Sequence, residues 1–157
     1  MKHGLPAVLV IDDRPEFTAL LAALLAGAGC CPVLASNGKD GLKLLHSQEF
    51  DLVVTDISMP EEDGFGVLRG LGRAGRRIPA IVVTGDAKRW PFDLARFAGM
   101  LGAAACLEKP FPPEAFLATV KRLLSESAAS AAQAARRPAS IMPMRTASLR
   151  FLAPSFR

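Results

Sequence analysis

The chain has 157 residues, half of them hydrophobic and 6% aromatic, and it carries 19 Lys and Arg against 15 Asp and Glu, a formal charge of +4. This balance excludes wholesale disorder and fits one core of ordinary size, and no apolar run nears the roughly 18–20 residues that a membrane span needs. The charge is local: residues 1–125 hold 14 basic and 14 acidic groups, whereas residues 126–157 hold Arg136, Arg137, Arg145, Arg150 and Arg157 against Glu126 alone. The basicity therefore describes a tail and does not argue for a nucleic-acid-binding domain.

The first apolar run, Leu5 to Ile11, stops at Asp12 and Asp13 with no small-residue cleavage site behind it, so no signal peptide is expected. Three cysteines, with Cys30 and Cys31 adjacent, make neither a disulfide framework nor a metal-ligand spacing. A reduced, cytoplasmic protein is expected. Cys30 and Cys31 are expected as core and edge residues, and His3 and His46 as exposed ones.

Taken in chain order, residues 1–125 alternate short apolar runs with helical patterns. Ala7–Ile11 is a continuous β-branched-rich run, as a strand buried on both faces requires. Pro15 suits the first turn of a helix whose apolar face is Phe17, Leu20, Leu21, Leu24 and Leu25, ending near Gly27 and Gly29. Cys31–Ala35 reads as a second strand. Ser36 or Asn37 then caps a helix to about Ser47, with Leu42, Leu44 and Leu45 inward. Asp51–Asp56 is a third strand, and a helix follows Gly64 with Phe65, Val67, Leu68 and Leu71 apolar. Ile78–Thr84 is a fourth strand, with a helical stripe of Leu94, Phe97, Ala98 and Leu101 after Pro91. Ala104–Leu107 is a weaker fifth strand. The last helix opens at Pro112-Pro113-Glu114 and shows Phe116, Leu117, Val120, Leu123 and Leu124 on one side.

From residue 126 the pattern breaks into Ala, Ser and Arg. Its helix propensity reaches Arg137 with no large apolar side chain to bury, so a frayed extension of the last helix is expected there, ending before Pro138. Residues 138–157 read as a disordered or conditionally ordered tail.

Five strand–helix units in series imply an α/β fold, a doubly wound parallel sheet with helices on both faces. Ligands of such sheets sit outside the carboxyl ends of the strands. The residues just past the strand ends include Asp12, Asp13, Asp56, Thr84 and Lys109, all of types that do chemistry. Three clustered carboxylates need a counter-charge, and Mg²⁺, which takes oxygen ligands and keeps several waters, is the natural one. Lys109 adds a second positive charge and Thr84 a hydroxyl. The set suits a carboxylate that accepts a phosphoryl group while metal, ammonium and hydroxyl neutralise its oxygens.

Four motifs carry a family resemblance: Val-Ile-Asp12-Asp13, Thr-Asp56-Ile-Ser-Met-Pro-Glu-Glu-Asp-Gly64, Val-Val-Thr84-Gly-Asp and Leu-Glu-Lys109-Pro-Phe. Together they resemble the receiver domain of two-component response regulators, of the chemotaxis-regulator type, over about residues 5–125. The resemblance implies a flavodoxin-like five-stranded sheet in order 2-1-3-4-5. It implies that Asp56 accepts a phosphoryl group from a sensor histidine kinase or a histidine phosphotransfer protein. Asp13, Asp56 and the Ser58 backbone carbonyl would hold Mg²⁺, with Asp12 acting through water. Thr84 would meet the phosphoryl group and Lys109 would pair with it, next to a cis Lys109–Pro110 bond. Met59-Pro60 and Asp63-Gly64 match the loop after the acceptor, where Gly64 would permit a positive φ. Ser58 and Asp86 match the positions that tune the lifetime of the acyl phosphate.

Two features depart from the pattern. Cys106, three residues before Lys109, stands where the family carries a Tyr or Phe rotor, and the chain has no Tyr. Cys106 is expected as a small buried hydrophobe rather than a redox group. The 25 positions from Thr84 to Lys109 are a few more than is typical, so the fourth helix or the loop before it is expected to be remodelled around residues 88–92. Trp90, the single Trp, is the candidate contact residue there.

The resulting expectation is a receiver domain at 1–125 with a tail at 126–157. It would be a single-domain, cytoplasmic, monomeric or weakly dimeric regulator, signalling through a protein target and not through direct nucleic-acid binding. It would not be a turnover enzyme. Against it stand a scaffold not switched by phosphate, the receiver part of a larger regulator, and a metal-dependent phosphatase with Asp56 as nucleophile. The last normally needs a second Asp where Ser58 stands.

Overall fold

A computed structural model describes residues 4–59, 63–75 and 77–136. The elements run β1 (Ala7–Ile11), α1 (Pro15–Gly27), β2 (Cys31–Ala35), α2 (Gly38–Ser47), β3 (Leu52–Asp56), α3 (Gly64–Arg73), β4 (Ala80–Thr84), a 3₁₀ turn at Ala87–Arg89, α4 (Leu94–Met100), β5 (Ala105–Glu108) and α5 (Pro113–Ala135). The strands form one parallel sheet in the order β2-β1-β3-β4-β5, as expected.

Alternation along each strand divides the core into two layers. Val8, Val10, Leu52, Val54, Ile81 and Val83 face α1 and α5 and pack with Leu21, Leu25, Phe116, Val120 and Leu123. Leu9, Ile11, Val53 and Val82 point the other way, toward Leu45, Phe65, Leu68, Leu71 and Ala98 of α2, α3 and α4. This period of two, buried on both sides, is what the unbroken β-branched runs encode. β3 and β4 are buried throughout, whereas the outer strands β2 and β5 are half open. Each fully buried Val, Leu or Ile contributes about 1.5–3 kcal/mol. The central strands therefore anchor the fold, and two of the carboxylates sit at the ends of two of them.

Helix starts follow local chemistry. Pro15 opens α1, and the side chains of Asn37, Asp63 and Asp93 cap α2, α3 and α4 by accepting N–H groups of Asp40, Gly66 and Arg96. α4 has only seven residues, and the 3₁₀ turn and an aromatic loop precede it, in the stretch where remodelling is expected. There the Phe65 ring stands edge-on to Trp90 at 5.4 Å and to Phe97 at 5.1 Å, and Phe92 lies 5.0 Å from Phe97. Trp90 is thus a packing residue, half-buried, and its indole N–H is buried with no hydrogen-bond partner among the described residues.

Several expectations need correction. Leu20 lies outside the buried face of α1 at 52% exposure, and Thr18 takes the inward place. Thr18 is tolerated there because its hydroxyl donates to the Pro15 carbonyl at 3.0 Å. β4 begins at Ala80 rather than Ile78; Pro79 has no N–H to give, although its carbonyl accepts the Val53 N–H at 3.0 Å. Gly64 does not have a positive φ; that conformation belongs to Gly29, Gly75 and Gly102. Gly64 is needed for close approach instead, since a Cβ there would collide with the Asp56 carbonyl oxygen and lie 2.9 Å from Ile57 Cα.

The C-terminal extension is helical as far as Ala135, a continuation of α5 exposed beyond Ser127. The tail expected at 138–157 and His3 lie outside the described residues; His46 is exposed, Cys30 buried and Cys31 exposed. Among the described residues no helix is long and apolar enough to cross a membrane.

A Cβ at position 64 has to displace backbone, so Gly64→Ala should cost roughly 2 kcal/mol in urea unfolding. Gly72, also in α3 but with open space around it, should give the opposite sign: Gly72→Ala is expected to gain about 0.5–1 kcal/mol. Equal gains at both positions would show that helix propensity, not the approach to Asp56, decides the outcome.

Candidate functional site

Parallel register brings the strand ends level. Ile11 pairs with Thr55, Asp56 with Val83 and Thr84 with Glu108, so Asp12, Asp56, Thr84 and Lys109 emerge on one rim. Asp13 follows at the same edge. One carboxylate oxygen from each of Asp12, Asp13 and Asp56 lies within 4.8 Å of the others.

Burial differs sharply within this triad. Asp12 is 2% and Asp56 6% exposed, while Asp13 is open to solvent. Lys109 bridges the two buried groups, donating to Asp12 Oδ2 at 2.7 Å and to Asp56 Oδ2 at 3.2 Å. The remaining oxygens meet backbone: Asp12 Oδ1 accepts the Arg14 N–H at 2.9 Å and Asp56 Oδ1 the Ser58 N–H at 3.1 Å. Arg14 Nε stands 3.9 Å from Asp12, but this side chain is largely exposed and adds little.

Burial pushes the Asp56 carboxyl above the ordinary carboxylate range, and the Asp12 charge pushes the same way. The Ser58 N–H and the Lys109 ammonium pull it back, without cancelling the rise.

Thr84 is buried at the end of β4, and its hydroxyl oxygen accepts the Asp86 N–H at 3.4 Å. Its carbonyl accepts the Lys109 N–H at 2.7 Å, tying the two residues together through backbone. The Asp86 side chain caps the 3₁₀ turn, accepting the Arg89 N–H at 3.1 Å. The Lys109–Pro110 bond is cis. Cys106 is half-buried beside the α3–α4 layer, and burial pushes its thiol pKa up, with Glu108 and Asp93 adding to it. A thiol so shifted is a poor nucleophile.

The residue types fit a hard divalent cation. All three side chains offer oxygen, one of them is solvent-facing with no cation paired to it among the described residues, and three carboxylates face a single buried ammonium. Asp12, Asp13, Asp56 and the Ser58 carbonyl are the groups available to such an ion.

Sequence reading missed two neighbours. Phe17, read as core, has its ring centroid 3.9 Å from Lys109 Nζ, and Arg14 lies over the same ring at 5.6 Å. No linear signal marks this, because Phe17 and Lys109 are 92 positions apart in the chain.

Residues 8–121 match the family profile described as the response regulator receiver domain. The chain is 35% identical over 115 residues to the transcriptional regulatory protein DltR of Streptococcus agalactiae, covering 73% of this chain and 50% of that one. It is 34% identical over 121 residues to the alkaline phosphatase synthesis transcriptional regulatory protein PhoP of Bacillus subtilis, covering 76% and 49%. It thus spans about half the length of these curated relatives. A solved response regulator receiver domain protein from Clostridium thermocellum superposes with a TM-score of 0.73 at 26% identity, over 80% of this chain and 99% of that one.

Because Asp56 titrates higher in the folded state than when unfolded, its ionisation costs stability as pH rises through that window. Without metal, Asp56→Asn should therefore melt a few degrees above wild type at pH 7.5, with the gap closing below the ordinary carboxylate range. Mg²⁺ at about 100 times its dissociation constant should add about 2.7 kcal/mol to the wild type, and far less to Asp13→Asn. Calorimetry across pH and Mg²⁺ concentration measures both effects.

Proposed function

The chain belongs to the response regulator receiver domain family, and from that membership we propose that it accepts a phosphoryl group on Asp56 and signals through protein–protein contacts. The donor is a histidine kinase or a histidine phosphotransfer protein. The observation that carries this reading is the Asp56 carboxylate itself, buried at the end of β3 and held by the Ser58 N–H and the Lys109 ammonium.

The chemistry follows from those contacts. An Asp56 oxygen attacks the phosphorus of a phosphohistidine; the new P–O bond forms as the P–N bond breaks, and its electron pair leaves with the imidazole. Two hydrogen-bond donors orient the carboxylate before any donor arrives, so little reorganisation is needed. Lys109, already within 3.2 Å of Asp56, is placed to pair with an oxygen of the transferred group, and the buried Thr84 hydroxyl offers a further donor. Asp12 holds the ammonium in place at 2.7 Å while this happens. Mg²⁺, when bound through Asp13, Asp56, the Ser58 carbonyl and a water on Asp12, supplies the positive charge that lets phosphoryl oxygens approach three carboxylates.

In this reading the protein is a cytoplasmic phospho-acceptor that catalyses only its own transfer and dephosphorylation. Ser58 stands where a phosphatase with an Asp nucleophile has its acid–base carboxylate, which argues against turnover of free phosphate esters. Ser58 and Asp86 flank the path of the hydrolytic water and tune the phosphoryl lifetime. The receiver unit is residues 1–125, with 126–157 as its appendage. The transcriptional output named for DltR and PhoP is theirs; here the output is a protein target or, in a longer regulator, an attached domain. Cys106 favours a second reading, a scaffold insensitive to phosphate, because no ring at that position can swing inward.

Incubation with radiolabelled acetyl phosphate and Mg²⁺ should label the wild type and leave Asp56→Asn unlabelled. Equal labelling of the two proteins would remove Asp56 from the reaction. A phosphoryl mimic, beryllofluoride, should then shift amide resonances on the surface around α4 and β5; shifts confined to the acidic rim would favour the scaffold.

A further inference from the structure

We propose that Phe17 is a positioning residue for Lys109, its ring face holding the ammonium against Asp12 and Asp56. An ammonium has three N–H donors and no acceptor. Two are spent on Asp12 Oδ2 and Asp56 Oδ2, at 2.7 and 3.2 Å. The Phe17 ring face, with its centroid 3.9 Å from Nζ, is the acceptor within reach of the third. The Lys109 side chain is only 10% exposed, so the ring stands in for water that would otherwise solvate this corner of the charge.

The ring is itself fixed from the core. Phe17 meets Phe111 edge-on, with centroids 6.0 Å apart and planes at 76°. Phe111 in turn stacks at 5.9 Å on Phe116, which is fully buried. A line of three rings thus runs from the core under α5 to the ammonium. Phe17 and Phe111 flank the site from two different elements, the first turn of α1 and the loop after β5.

Packing alone would explain a large apolar residue at position 17, but not a ring face under the most buried cation of the site. Arg14 approaches the same ring at 5.6 Å with a largely exposed side chain, and a solvated cation gains less from an aromatic face than a desolvated one. Lys109 is therefore the partner that matters. The consequence for phosphoryl transfer rests on the reading of Asp56 as acceptor, whereas the hold on Lys109 does not.

The test uses the full chain with ¹³C-labelled lysine, free of metal, and Lys109 assigned through Lys109→Arg. Ring current should move the Lys109 ε-methylene protons upfield of the other lysines in the wild type and in Phe17→Tyr. In Phe17→Leu they should return among the others, with the amide spectrum showing the fold retained. Labelling by acetyl phosphate and Mg²⁺ should slow about 3- to 10-fold in Phe17→Leu and recover in Phe17→Tyr. Unshifted Lys109 protons in the wild type, or equal slowing in both variants, would overturn the proposal, as would an unchanged rate in Phe17→Leu. An upfield signal lost in Phe17→Leu, in a wild type that takes no label, would sustain the ring's hold on Lys109 and remove the phospho-acceptor reading instead.

Discussion

Two buried carboxylates at the ends of adjacent parallel strands cannot both stay ionised without a cation between them, and here that cation is Lys109. Its ammonium reaches from the far end of β5, across β4, to Asp12 and Asp56 at once. Remove the charge and each carboxylate would have to take up a proton or pull in water. The rim therefore holds together through one long side chain, and the backbone arrangement can be understood as the means of delivering it. The Lys109 N–H bonded to the Thr84 carbonyl fixes where that side chain starts, and the buried stem of the lysine sets where it ends.

The sheet supplies the geometry at low cost. Burial is heaviest in β1, β3 and β4, and those strands terminate in Asp12, Asp56 and Thr84. Rigid, fully packed strands place polar groups more exactly than loops could, and parallel register brings all their carboxyl ends to one side. α3 begins so close behind β3 that only glycine fits at position 64, against the Asp56 backbone. That approach leaves little slack at the Asp56 backbone, and the Ser58 N–H bonded to Asp56 Oδ1 restrains its side chain.

Most of this rim was legible in the sequence because three of its members end apolar, β-branched runs. Asp12, Asp56 and Thr84 interrupt strands that must be buried, and a polar residue at such a point marks where the chain leaves the core. What the sequence did not disclose depends on distances between helices and sheet. In α1 Thr18 is buried and Leu20 is not, although periodicity favours the leucine. The reason for Gly64 is a backbone collision, not a dihedral angle, and no composition rule distinguishes the two. Phe17 satisfies the helical stripe equally well as a core residue and as a partner of Lys109. The aromatic cluster of Phe65, Trp90, Phe92 and Phe97 likewise joins α3 to the loop after β4, and local patterns report neither partner.

Asp56, the proposed phospho-acceptor, carries an energetic cost of its own. Burial and the Asp12 charge together oppose its ionisation more strongly than Lys109 and the Ser58 N–H favour it, and the proposed attack on phosphorus would need the ionised form. Complete neutralisation by protein groups would stabilise the fold but leave the carboxylate too well satisfied to bond a new partner. The surplus of negative charge on the rim avoids that outcome. Asp13, solvent-facing and without a cation among the described residues, keeps the balance negative and so makes a divalent ion welcome. A cation entering there would relieve the cost carried by Asp56 and, in the proposed reaction, would prepare the rim for a dianionic phosphoryl group. Stability and reactivity at this site thus draw on one electrostatic imbalance, and a substitution that mends it should strengthen the fold while disabling the chemistry.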